Sequence, residues 1–154
     1  GSCIHEIFAI FHDDLEIQKA QTIINNHFMN AVLTDSSSII LAAKNLFTFL
    51  MQTYGNPVKI YRELPVQMME NLQIISGEID LLWETESDLI LVDYKTFPGR
   101  RDDTLNPASV HYAGFYGSQL MAYDKIIKAS QLNHKKVIAK LIYYAVGGYL
   151  VKIT

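Results

Sequence analysis

The chain contains a single cysteine, Cys3, among its 154 residues. An internal disulfide framework and a zinc or iron–sulfur site with four cysteine ligands are therefore excluded. A lone cysteine suits a reducing compartment, and we expect a cytoplasmic protein. An excess of basic charge is also lacking, since 13 basic and 16 acidic side chains give a net charge of -3. Any contact with nucleic acid must therefore be local.

The sequence has no apolar run of transmembrane length and no pattern typical of a secretion signal, so no membrane partner is predicted. Hydrophobic residues make up 49% of the chain and charged residues 19%, which is enough apolar content for the core of one globular domain. We predict a single domain over residues 1–154. Because the first residue is not methionine, we expect this domain to come from a larger protein.

The most informative stretch covers residues 77–97 and reads GEIDLLWETESDLILVDYKTF. It predicts two hydrophobic strands joined by a short acidic turn, and therefore an antiparallel hairpin. Because successive side chains of a strand point to opposite faces, Asp93 and Lys95 share one face and Tyr94 points to the other. Asp80, in the first of the two strands, can then approach Asp93 across the pair.

Two carboxylates that converge at the edge of a hydrophobic sheet repel each other unless a positive charge lies between them. A hard divalent cation with oxygen ligands is the usual solution. Lys95 would then lie beside a water molecule bound to the metal. Asp-x-Lys is a common pattern, however, and by itself it favours a surface ion pair worth about 0–1 kcal/mol. The interpretation depends on the motifs elsewhere in the chain.

The remaining segments alternate between helical and strand patterns. Apolar residues at helical spacing predict helices over residues 3–12, 17–28, 37–54 and 112–130. Strand patterns cover residues 58–66, 72–83, 89–96, 136–146 and 149–153, with Pro65 near the end of the first and Gly147-Gly148 as a two-residue turn before the last. We predict an α/β fold with a mixed central sheet of about five strands, helices on both faces and a helical N-terminal segment.

Three motifs follow one another along the chain: Gly77-Glu78-Ile79-Asp80, Asp93-Tyr94-Lys95-Thr96 and Gln119-Leu120-Met121-Ala122-Tyr123. In this order and at these separations they resemble the RecB-family nuclease domain of the PD-(D/E)xK superfamily. The resemblance covers residues 1 to 144 and implies a restriction-endonuclease-like fold. Ile79-Asp80 replaces the literal Pro-Asp of the superfamily name, which is ordinary for RecB-like members.

The resemblance implies metal-dependent hydrolysis of DNA phosphodiester bonds, with Asp80, Asp93 and Lys95 as catalytic residues. It implies that Mg²⁺ or Mn²⁺ is held by His5, Asp80, Asp93 and the backbone carbonyl of Tyr94. Domains of this family form the C-terminal part of bacterial helicase-nucleases of the RecBCD and AddAB type, which process double-strand breaks. An exonuclease with helicase domains in the same or a partner chain is therefore expected. The alternative is a catalytically silent DNA-binding or structural module of such a complex.

The resemblance also implies supporting roles for Glu63, Gln119 and Tyr123. Glu63 lies in the first predicted strand, where it would support the metal site or, equally well, form an ion pair with Arg62 or a nearby lysine. Gln119 and Tyr123 are four residues apart and share one helix face. In the family this pair borders the active cleft, whereas capping or packing is the ordinary role of such residues.

Two arginines, Arg100 and Arg101, follow the Asp-x-Lys strand in a loop that contains two prolines and a glycine. At this position their guanidinium groups would hold phosphates of the DNA. Asp102 and Asp103 come next in the sequence and would equally well neutralise them within a solvated loop. The sequence leaves both interpretations open.

Overall fold

The computed structural model describes residues 5, 6, 8, 9, 36–130, 132 and 134–153. Residues 5, 6, 8 and 9 are helical and fall within the helix predicted for residues 3–12, whereas the helix predicted for residues 17–28 lies outside the described residues. The other elements are α1 Ser36–Tyr54, β1 Lys59–Glu70, β2 Gln73–Glu84, β3 Asp88–Lys95, α2 Arg101–Leu105, a 3₁₀ helix Ala113–Tyr116, α3 Gly117–Lys128, β4 Lys136–Tyr144 and β5 Tyr149–Ile153.

The five strands form one sheet in the order β1-β2-β3-β4-β5. Strands β3 and β4 are parallel, and the other neighbours are antiparallel, so the predicted mixed sheet is confirmed. Helix α1 packs on one face and α3 on the other. In the described ranges, no helix is long and apolar enough to cross a membrane.

Strand β3 shows how the alternation of side chains builds both cores. Ile90 and Val92 pack into the core under α1, whereas Leu89 and Leu91 pack into the core under α3. A strand buried on both faces reads as a continuous hydrophobic run because neither face is left for polar residues. The polar residues Asp93 and Lys95 appear at the end of this strand, where Asp93 is still buried and Lys95 is partly exposed.

Helix α1 confirms the helix predicted for residues 37–54. It buries an apolar stripe at helical spacing, which includes the fully buried Leu46 and Leu50. Gly55 ends it with φ +100°, a conformation that glycine adopts without steric cost. The Gly55 N–H donates to the carbonyl of Met51 at 3.0 Å. The Gly55 carbonyl accepts a hydrogen bond from the indole of Trp83 at 3.2 Å, which fixes the helix end against β2.

Two predicted strand ends were wrong. Strand β1 continues past Pro65 to Glu70, because β1 is an edge strand and a proline there need not break a ladder hydrogen bond. A two-residue turn at Asn71 and Leu72 joins it to β2. The last hairpin turns over four residues, 145–148, and not over Gly147-Gly148 alone, because pairing stops at Tyr144↔Tyr149.

The loop predicted for residues 97–111 contains the short helix α2. The helix predicted from residue 112 begins as α-helix only at Gly117, after the 3₁₀ helix. The Phe97 and His111 rings stack with centroids 3.8 Å apart and so hold the two ends of the loop together.

Candidate active site

The strands that carry the predicted acids separate just before those acids would pair. The β2–β3 ladder ends at Leu81↔Val92, so the next pair would set Asp80 opposite Asp93. Beyond this pair the Tyr94 N–H donates to a side-chain acceptor, Oδ2 of Asp80, at 2.8 Å, and not to a backbone carbonyl of β2. The Asp80 carboxylate therefore lies in the fork between the two strands, and the predicted approach of Asp80 to Asp93 is observed.

Asp93 and Lys95 lie on one face of β3, as predicted. The Nζ of Lys95 is 2.8 Å from Oδ2 of Asp93 and 4.2 Å from the centre of the Tyr116 ring. The pKa of Asp93 is raised to about 6. Burial is the largest cause; Asp80 raises the pKa as well, and Lys95 lowers it in part. One lysine thus only partly compensates two adjoining carboxylates.

Tyr94 points to the opposite face and attaches the N-terminal helical residues to the fork. Its ring lies 4.8 Å from that of Phe8 and 5.6 Å from that of His5. Nε2 of His5 in turn lies 3.0 Å from Oδ2 of Asp80. Burial raises the pKa of the Tyr94 phenol well above its usual range, so this side chain stays neutral. The structure thus brings His5 to the acids from the far end of the sequence.

Glu63 lies opposite Asp80 in the β1–β2 register, at the one position between residues 59 and 70 that the ladder skips. Its φ of 50° is unusual for a residue with a Cβ and marks local strain. Burial raises its pKa most, the neighbouring carboxyls of Glu78 and Asp80 raise it further and His5 lowers it, and the resulting pKa is about 7. Oε1 of Glu63 is buried without a hydrogen bond.

Gln119 and Tyr123 share a helix face, as predicted, and Nε2 of Gln119 donates to the Tyr123 hydroxyl at 2.9 Å. The Tyr123 ring packs on β2 at Gly77, where a Cβ would come within 2.7 Å of Cε1 of Tyr123. Gly77 is thus the position at which α3 approaches β2 most closely. This pair packs α3 against the strand that carries Asp80.

Arg100 and Arg101 are exposed at the start of α2. The segment before them is fixed by the Tyr149 hydroxyl, which donates to the Gly99 carbonyl at 3.0 Å. Arg101 lines a cleft beside α1 together with Lys152, on the opposite face of the sheet from Lys95. Arg101 is therefore not placed over the acids, and the role of the two arginines in phosphate binding stays a prediction.

Two neighbours of the site were not singled out from the sequence. Tyr116 packs against the core under α3, and its ring also supports the Lys95 ammonium group. Its spacing of three residues from Gln119 and seven from Tyr123 was the signal that it belongs to the same helical face. Glu78 was expected to be solvated; it is exposed, yet it acts on the Glu63 carboxyl.

The residues at the fork fit a divalent cation by their chemistry. Carboxylates and one imidazole converge there, and the pKa values of Asp93 and Glu63 are raised first by burial and then by neighbouring carboxyls. Adjacent ligands of an octahedral ion at about 2.1 Å lie about 3.0 Å apart, which is the separation of Nε2 of His5 and Oδ2 of Asp80. Among the described residues, no three His, Cys, Asp or Glu side chains are already arranged around one ion position.

A mixed five-stranded sheet with helices on both faces, and with two acids and a lysine at a strand fork, defines the class as a nuclease of restriction-endonuclease-like fold. The sequence profile of the PD-(D/E)XK nuclease superfamily matches residues 1–152, and the chain therefore belongs to that superfamily. Its members are nucleases that generally use divalent metals. A search of curated proteins finds no significant match.

Proposed function

We propose that this domain hydrolyses phosphodiester bonds of DNA with Mg²⁺ or Mn²⁺, as the exonuclease part of a RecB-type helicase-nuclease that acts in double-strand-break repair. The observation that carries the proposal is the meeting of Asp80, Asp93 and Lys95 at one fork. The order of the three motifs along the chain supports the RecB-like assignment. The single cysteine supports a cytoplasmic location.

In this proposal His5, Asp80, Asp93 and the Tyr94 carbonyl would hold the ion, which would supply a more acidic water and positive charge beside the phosphate. An imidazole among oxygen ligands makes Mn²⁺ a good competitor of Mg²⁺. The Tyr94 N–H bond to Asp80 holds this carboxylate in place. Glu63 lies opposite Asp80 in the β1–β2 register, and in this proposal its carboxyl supports the metal site from the edge strand.

Lys95 is the second part of the proposed catalytic site, beside the metal ligands. Its ammonium group lies between Asp93 and the Tyr116 ring, so it is held while one side stays open to substrate. From there it orients the attacking water and stabilises the negative charge that develops on the phosphate. The Tyr116 ring excludes water from one side of the amine, which strengthens these interactions. Gln119 and Tyr123 position this wall by packing α3 onto β2.

The test is a cleavage assay with linear and covalently closed circular DNA in Mg²⁺, Mn²⁺ or EDTA. The proposal predicts metal-dependent release of nucleotides from linear DNA, with closed circles left intact. Asp80→Asn should abolish cleavage without unfolding the protein, whereas Glu84→Gln, on the same strand but away from the fork, should keep it. Metal-stimulated DNA binding without cleavage by the wild type would favour the silent module instead.

A further inference from the structure

A cleft of about 450 Å³ lies between α1, α2 and the β4–β5 hairpin. Its floor is apolar and includes Leu46 and Tyr143, which belong to the core under α1. Its rim carries Phe49, Arg101 and Lys152. It therefore lies on the opposite face of the sheet from the Lys95 side chain and is separate from the fork.

The charge of this cleft is of one sign. Arg101 and Lys152 are the charged residues of its lining, both are exposed, and neither forms an ion pair within the described part of the chain. The cleft beneath α3 differs, because its three lysines pair with Glu70 or Asp124. Among the described residues, the cleft beside α1 thus presents two cations that form no ion pair, whereas the lysines of the cleft beneath α3 are paired.

An aromatic ring stands beside these cations. Phe49 is 38% exposed and lines the cleft. It contacts Tyr54 edge-to-face, with centroids 6.3 Å apart. A cationic groove with an exposed aromatic face is the combination that binds single-stranded nucleic acid, because the cations contact phosphate and the ring stacks on a base.

The cleft lies close enough to the fork to hold the same strand of DNA. Lys95 pairs with Tyr144, and Tyr144 pairs with Tyr149 in the cleft wall. Two strand spacings, roughly 10 Å, separate the backbone of Lys95 from that of Tyr149 within the sheet, so a strand that reaches both places must pass around the end of the sheet from one face to the other. The segment that leads from Lys95 to Arg101 connects the two places directly.

We propose that this cleft binds one nucleotide of a single DNA strand whose scissile bond lies at Lys95. Arg101 and Lys152 contact the phosphate, and Phe49 stacks on the base. The inference rests on the proposed nuclease function and adds to it a subsite for unpaired DNA. It implies that the domain acts on single-stranded ends, which suits a nuclease supplied with strands by a helicase.

The test is binding of a fluorescein-labelled dT12 oligonucleotide in EDTA, followed by anisotropy over a range of salt concentrations. Arg101→Ala and Lys152→Ala should each weaken binding, and the double variant should reduce the slope of log K against log salt by about 0.7, the value for one phosphate contact with a single strand. Phe49→Leu should weaken binding about fivefold or more by loss of stacking, with an unchanged slope.

The matched control is Lys136→Ala, because Lys136 is an exposed lysine at the opposite end of β4. It should leave affinity and slope unchanged. Wild-type affinity in both Lys152→Ala and Phe49→Leu, or equally tight binding of polyglutamate of the same charge, would overturn the subsite. Cleavage by the wild type, measured separately in Mn²⁺, distinguishes this failure from failure of the nuclease proposal.

Discussion

Two acids of the β2–β3 hairpin have opposite electrostatic environments. Glu84, at the turn end, accepts hydrogen bonds from Lys135 at 2.7 Å and from Tyr61 at 3.0 Å. Burial acts to raise its pKa, but these partners outweigh burial and the pKa is lowered. Asp93, at the fork, has Lys95 as its cation, and burial together with Asp80 raises its pKa to about 6.

The difference separates an acid whose charge is satisfied within the protein from the acid that we propose as a metal ligand. The partners of Glu84 satisfy its charge within the protein, and Lys135 also donates to the Thr85 carbonyl at 2.8 Å, so the group serves the hairpin turn. The charge of Asp93 is only partly compensated, which costs folding energy but leaves an attractive potential for a cation. Active sites commonly carry charge arrangements that the fold alone would not favour.

The largest contrast is expected when each acid loses its lysine. Lys95→Met should lower the rate of DNA cleavage about 10²–10³-fold, because the donor that stabilises the developing charge is lost. Lys135→Met should leave the cleavage rate unchanged but lower the free energy of unfolding by about 1.5–3 kcal/mol, because Glu84 loses a charged hydrogen bond. Initial rates in Mn²⁺ and urea denaturation measure the two effects.

Equal loss of activity in both variants would mean that Lys95 acts through stability alone. Rates must therefore be compared under conditions in which circular dichroism shows both proteins to be folded. Lys95→Arg, which keeps a charge but changes its shape, should recover only part of the activity.

The second largest effect that we expect is a dependence of the free energy of unfolding on pH. The pKa of Asp93 is higher in the folded protein than its ordinary value of 3.8, so the folded state binds the proton more tightly. The free energy of unfolding of the metal-free protein should then fall as the pH rises from about 4 to about 7, by at most about 3 kcal/mol from this group. Asp93→Asn should flatten this fall, as measured by urea denaturation at a series of pH values.

Glu84→Gln is the matched control for the pH series. Its folded pKa is lowered, so its contribution is present at neutral pH and is lost in acid. The substitution should lower stability at pH 7 and leave the fall between pH 4 and 7 intact. A wild-type protein whose stability rises steadily over that range would contradict the assignment of uncompensated charge to Asp93, to which Glu63 adds with the same sign.

The smallest effect is expected at the contact between α3 and β2. Gly77→Ala places a Cβ 2.7 Å from Cε1 of Tyr123, and relief of this overlap should cost about 1–3 kcal/mol of unfolding free energy. Gly117→Ala is the control, since its Cβ meets only Ile153 at 3.5 Å in a helix, where alanine is favoured over glycine. It should be neutral or stabilising in thermal denaturation.

Periodicity predicted much of the fold because most elements bury one regular face. The hairpin, the shared face of Asp93 and Lys95, and α1 follow from spacings of two and of three to four residues. Such spacings cannot show where a ladder ends, so the extension of β1 past Pro65 and the positive φ of Glu63 were not predicted. Both depend on the edge position of β1 in the sheet.

The sequence predicted which residues form the site, but not the pKa values of its acids. His5 is 75 residues from Asp80 in the chain, and only the family resemblance connected them. The pKa values of Glu63 and Asp93 depend on burial and on neighbours from other strands, which one sequence does not reveal. The cleft beside α1 combines α1, α2 and β5 and was likewise not predicted.

We propose that the under-compensated acids at the fork bind a divalent cation. Calorimetric titration of Mn²⁺ and Mg²⁺ into the wild type, Asp80→Asn and Glu84→Gln tests it most directly. The account predicts binding by the wild type and by Glu84→Gln, and its loss in a folded Asp80→Asn variant. A folded wild type that binds neither ion, or equal binding by Asp80→Asn, would contradict it.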